Sequence, residues 1–81
     1  METHMNGLLD ALETIRPEVD FANSEDFIKE GLLDSFDIVT LVAEMEKRFG
    51  ITIDGEDVTP ENFKNIETLE QFVQRYLSKE S

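Results

Sequence analysis

The feature that most constrains this chain is the run from Ser35 to Phe49. There Ile38, Leu41, Val42, Met45 and Phe49 recur at helical spacing and place one apolar stripe on a single helix face. Both ends carry their own signals. Asp34 or Ser35 can cap the first N–H groups, Lys47 and Arg48 sit in the last turn where cations are favoured, and Gly50 suits the left-handed stop position. A helix over about 35–49 is therefore the firmest expectation, and everything else must bury against its stripe.

Two further stripes meet that need. Leu8, Leu9, Leu12 and Ile15 predict a first helix from Asn6 to about Ile15, which Pro17 ends because proline cannot continue the backbone hydrogen bonds. Near the C-terminus, Leu69, Phe72, Val73, Tyr76 and Leu77 form another amphipathic stripe, with Thr68 and Gln71 read as a capping box ahead of it. Thr59 and Pro60 predict a short helical turn to about Lys64. Residues 16–34 show no clean period, but Phe21, Phe27, Ile28, Leu32 and Leu33 can tie this long loop to a core, with a turn at Gly31. Ile51–Ile53 alternate like a strand but have no partner, so an extended loop is expected. The expected fold is all-α: a small four-helix bundle of three main helices and one short helix, with a long first loop.

Eighty-one residues make one domain with a thin core, since so short a chain buries only about 60% of its unfolded surface. Residues 1–5, METHM, resemble a cloning junction or a disordered extension, which leaves 6–81 as the folded domain. Cysteine is absent, so neither a disulfide framework nor a thiolate metal site can supplement that core. Asp54, Glu56 and Asp57 lack the glycine and glutamate offsets of a calcium loop, so no metal site is expected. The lone histidine, His4, lies in the excluded extension, and no base is placed to activate a nucleophile; an enzyme is not expected.

Nineteen acidic against seven basic residues give a net charge of −12, which repels nucleic acid and anionic membranes and attracts basic protein surfaces. No apolar run approaches the length of a membrane span and no secretory signal is present, so a cytoplasmic monomer without nucleic-acid partners is expected.

The stretch Gly31-Leu32-Leu33-Asp34-Ser35-Phe36-Asp37 carries the chemistry. From spacing alone, an Asp-Ser pair at a helix start is an ordinary cap. In its setting, however, the chain resembles the acyl carrier and peptidyl carrier family. The resemblance rests on an amphipathic first helix, a long loop, Asp34-Ser35 opening the second helix, the acidic Ala43–Arg48 stretch, Phe49-Gly50-Ile51 and the Thr68 helix. It implies that Ser35 accepts 4′-phosphopantetheine through a phosphodiester, with Asp34 as a flanking recognition residue, and that the arm's thiol carries acyl or aminoacyl thioesters.

The partners implied are a phosphopantetheinyl transferase and the ligases and synthases whose basic surfaces would dock on Phe36, Asp37, Glu44, Glu46, Glu56 and Asp57. Asp37 and Glu44 are expected to be exposed because they fall off the apolar stripe. Phe36, where the family most often has leucine, is similar to stand-alone D-alanyl carrier proteins. Thr40 and Lys47 stand where fatty acid synthase carriers commonly bear acids. The cargo is left open among fatty acid biosynthesis, polyketide, nonribosomal peptide and D-alanyl transfer; six phenylalanines in a small core hint at short or aminoacyl cargo. The alternative from another class is an unmodified acidic interaction module.

Overall fold

In the computed structural model, which describes residues 5–80, three α-helices account for most of the chain: α1 (Met5–Ile15), α2 (Ser35–Phe49) and α3 (Ile66–Glu80). Two 3₁₀ turns, Phe21–Asn23 and Gly55–Asp57, punctuate the connections, and no strand occurs among the described residues. Residues 1–4, with His4 and most of the suspected junction, lie outside the described residues, whereas Met5 begins α1.

Each helix buries the stripe its sequence encodes. Leu8, Ala11 and Leu12 of α1, Leu41 and Met45 of α2, and Leu69, Phe72 and Val73 of α3 are fully buried in one cluster. Each of the larger side chains, Ala11 aside, contributes about 1.5–3 kcal/mol by leaving water. Ile38, Val42 and Phe49 pack half-buried against the same cluster. Gly7 lets α1 pack closely on α2: a Cβ there would meet the Phe49 ring at 3.1 Å.

The long first loop is held by its own side chains. Phe21 and Phe27 meet edge-on at 5.2 Å between ring centroids. The Phe27 carbonyl accepts from the Leu32 N–H at 2.8 Å, which closes the turn through left-handed Gly31. The Phe27 N–H donates to the Lys64 carbonyl at 2.6 Å, and Asn65 Nδ2 donates to the Glu25 carbonyl at 3.1 Å. Those two bonds fix the loop against the entrance to α3.

The all-α class holds, and residues after Thr59 form the expected short turn, with Asn62 and Phe63 donating to the Thr59 carbonyl. That turn is too short to repeat as a regular helix before α3, so the described residues hold three helices joined by short turns, broadly consistent with the expected bundle. One expectation is corrected. The capping box of α3 is Asn65 with Thr68, not Thr68 with Gln71. Asn65 Oδ1 accepts from the Thr68 N–H at 2.9 Å, and Thr68 Oγ1 accepts from the Asn65 N–H at 3.0 Å. Asparagine caps better than threonine, and starting one turn earlier buries Ile66.

Candidate functional site

The start of α2 is built by a reciprocal cap. Asp34, in extended conformation, accepts the Asp37 N–H on Oδ1 at 2.8 Å, and Asp37 Oδ2 accepts the Asp34 N–H at 3.3 Å. Ser35 is therefore the first helical residue. The N–H groups of Ser35 and Phe36 have no intrahelical acceptor and face outward along the axis, where a fifteen-residue helix favours an anion. At the other end, Gly50 (φ 65°) donates to the Glu46 carbonyl at 3.0 Å.

Around this end the side chains divide sharply. Ser35 is exposed and its hydroxyl has no partner among the described residues, whereas the Ser24 hydroxyl donates to Glu30. Phe36 is 77% exposed and Val39, one turn on, 69% exposed, so the two form an apolar pair beside the serine. Val39 was not among the expected docking residues. Its signal was an apolar residue outside the stripe set by Ile38, Leu41, Val42, Met45 and Phe49.

Asp37 requires a correction: it is 8% exposed, not part of the outward face. It stands four residues before Leu41 and eight before Met45, on the same row of α2, and that row is the one buried. Its charge is met by the residue that follows α1: Arg16 Nε donates to Asp37 Oδ2 at 2.8 Å. The Arg16 guanidinium also lies 3.7 Å from Asp34 and 3.8 Å from Glu18. The hydrogen bond and charge of Asp37 raise the Arg16 pKa, so the group is a permanent cation.

The other α2 acids are also engaged within the chain. Glu44 accepts from Arg48 Nε at 3.1 Å, and Arg48 in turn pairs with Asp10 on α1 at 2.6 Å. Glu46 Oε2 accepts the Ile53 N–H at 2.9 Å and pins the connection after α2. Asp57, half-buried, accepts from the Tyr76 hydroxyl, while Glu56 is exposed. The expected acidic docking set thus resolves into exposed Phe36 and Glu56 and a group of carboxylates with structural bonds.

The site is an exposed helix end. One surface hollow of about 650 Å³ lies against α3 beside Arg75 and Tyr76, and a second lies beneath Pro17 and Phe21; neither is lined by Ser35, Phe36 or Val39. Among the described residues no cluster of histidine, cysteine and carboxylate could hold a metal, and no helix is long and apolar enough to cross a membrane.

An exposed serine thus opens the capped second helix of a small acidic three-helix domain. The phosphopantetheine attachment site family matches residues 7–75, most of the chain, and the chain belongs to that family of acyl and peptidyl carriers. Its cofactor is accordingly a covalent phosphopantetheine, and the domain is a carrier and not a catalyst.

Aminoacyl carrier protein 1 of Bradyrhizobium diazoefficiens (strain JCM 10833 / BCRC 13528 / IAM 13628 / NBRC 14792 / USDA 110) is 44% identical over 45 residues. That stretch covers 56% of this chain and 50% of the relative, so the alignment spans about half the length of that curated protein. No solved structure matches the chain. The residues present fit the arm: an exposed hydroxyl to esterify, outward N–H groups for a phosphodiester, and a cation between the flanking carboxylates.

Proposed function

We propose that Ser35 is the acceptor of the phosphopantetheine arm and that the holo protein carries aminoacyl or short acyl groups to partner enzymes. The observation that carries this reading is the unpartnered, exposed Ser35 hydroxyl at the first position of α2. In the loading step the Ser35 oxygen attacks the β-phosphorus of coenzyme A, the bond to the adenosine bisphosphate breaks, and 3′,5′-ADP leaves. The serine proton passes to a base of the transferase, since Arg16 cannot accept one. Once attached, the arm supplies the thiol on which cargo rides as a thioester.

Two observations favour aminoacyl cargo over long acyl chains. Phe21, Phe27, Phe63 and Phe72 fill the core, and the curated relative is named as an aminoacyl carrier. The partners are a phosphopantetheinyl transferase and an aminoacyl or acyl ligase, met by a cytoplasmic monomer through exposed Phe36 and Val39, with Asp34 and Glu56 as exposed acids for their basic surfaces. An apolar pair beside the reacting serine is the patch that any partner reaching Ser35 must cover.

Intact mass after incubation with a broad-specificity transferase and coenzyme A tests the reading. The wild type should gain one arm and Ser35→Ala none, while circular dichroism of the variant stays unchanged because Asp34 still caps α2. An unmodified wild type would favour a plain interaction module. Loading of the holo form with amino acids or fatty acids, compared across candidate ligases, identifies the cargo.

A further inference from the structure

Arg16 follows the last residue of α1, its N–H still bonded to the Leu12 carbonyl at 2.9 Å, and Pro17 turns the chain immediately after it. From there its guanidinium reaches both halves of the α2 cap: Asp37 through Nε at 2.8 Å and Asp34 through a terminal nitrogen at 3.7 Å. Ser35 lies in sequence between those two carboxylates. Glu18, at 3.8 Å from the same guanidinium, adds a third acid to the cluster. No other cation is paired with Asp34 or Asp37 among the described residues.

Coenzyme A approaches Ser35 as a multiply charged anion, and the net charge of −12 opposes it. Immediately beside the hydroxyl the opposition would come from Asp34 and Asp37, which the helix needs for its cap. We propose that Arg16 is a positioning residue for the transfer of phosphopantetheine to Ser35: it fixes the Asp34–Asp37 cap that starts α2 at the serine, and it cancels the carboxylate charge that would repel the incoming pyrophosphate. The inference rests on the reading of Ser35 as acceptor.

A purely structural pair and an electrostatic one respond differently when broken from opposite sides. Removing the cation with Arg16→Met leaves the acids uncompensated. Removing one anion with Asp37→Asn keeps a side-chain oxygen for the cap and leaves the cation in place. If Arg16 acts only by holding the helix, both variants impair the transfer in the same sense. If it also sets the local charge, they move the KM for coenzyme A in opposite senses.

The experiment measures conversion of the apo protein by intact mass, with a transferase and varied coenzyme A. Wild type, Arg16→Met, Arg16→Lys and Asp37→Asn are compared at two salt concentrations and well below each melting temperature. Arg16→Met should raise the KM for coenzyme A on the order of fivefold at low salt, with the difference shrinking as salt screens the cluster. Arg16→Lys should restore the KM to within about twofold, because the charge returns although the fork does not. Asp37→Asn should leave the KM equal or lower.

An unchanged KM in Arg16→Met, or a raised KM in Asp37→Asn, overturns the proposal. If Arg16→Met does not fold, Asp37→Asn decides alone by the same criterion. Failure of the wild type to be modified, or modification of Ser35→Ala, instead refutes the reading of Ser35 and is distinguishable from any difference in KM.

Discussion

Tyr76 donates its hydroxyl to Oδ2 of Asp57 at 2.5 Å, and the Tyr76 hydroxyl oxygen itself accepts the Asp54 N–H at 3.0 Å, so one α3 side chain holds both flanks of the Gly55–Asp57 turn. Tyr76→Phe keeps the ring against Phe72 and removes the bonds made by the hydroxyl. A loss of about 1–2 kcal/mol is expected by denaturant melting, since Asp54 N–H and Asp57 lose a partner that water partly replaces.

The same hydroxyl sets a pH dependence. Burial first, then the bond to Asp57, raises the Tyr76 pKa above its ordinary value of 10.0. The folded state therefore retains a proton that the unfolded chain releases, so this contribution is complete below about pH 10 and is lost as pH rises through the folded value. The stability difference between wild type and Tyr76→Phe should be constant from neutral pH to about 9 and shrink above it. A difference that grows with pH would reverse the sign of the argument.

Substitutions on α2 should separate docking from folding. Phe36→Ser and Val39→Ser alter exposed side chains and should change stability by less than about 0.5 kcal/mol, yet lower the rate of modification and loading by about tenfold. Asp37→Lys should do the reverse of what an exposed acid would do. It removes half of the α2 cap, places a second cation against Arg16, and should destabilise the domain by at least about 2 kcal/mol. Melting temperatures and initial rates for the three variants provide the check.

Asn65 serves two segments at once, capping α3 and holding the Glu25 carbonyl of the first loop. Asn65→Ala should lose about 1–2 kcal/mol, whereas Gln71→Ala should be nearly neutral. Faster amide exchange at both Phe27 and Thr68 in Asn65→Ala would report the double role; a change confined to α3 would disprove the tie to the loop.

Nineteen acidic residues outnumber seven basic ones, so most carboxylates have no cation to balance them. Raising ionic strength from about 10 mM to about 150 mM should raise the melting temperature by screening that repulsion. A flat or falling melting temperature would mean that the Arg16 and Arg48 ion pairs outweigh the repulsion.

The sequence alone determined α2 from start to stop, because Asp34 and Gly50 are local signals whose effect needs no neighbour. It also determined the three apolar stripes and the family resemblance that the match over residues 7–75 bears out. Tertiary structure decided what periodicity leaves free. A stripe fixes a direction around the helix only to within about one residue, so whether Ile38 or Asp37 faces inward depended on α1 lying where Arg16 could meet the carboxylate. Likewise Asn65 took the cap from Thr68 because burying Ile66 rewarded an earlier start. The expected acidic face on α2 gave way to an apolar pair because Arg16, Arg48 and the Ile53 N–H lie close enough to claim Asp37, Glu44 and Glu46. Arg16 with Asp37 and Arg48 with Asp10 join residues 21 and 38 apart, which only packing of the helices brings within reach, whereas Arg48 with Glu44 is a local pair along α2.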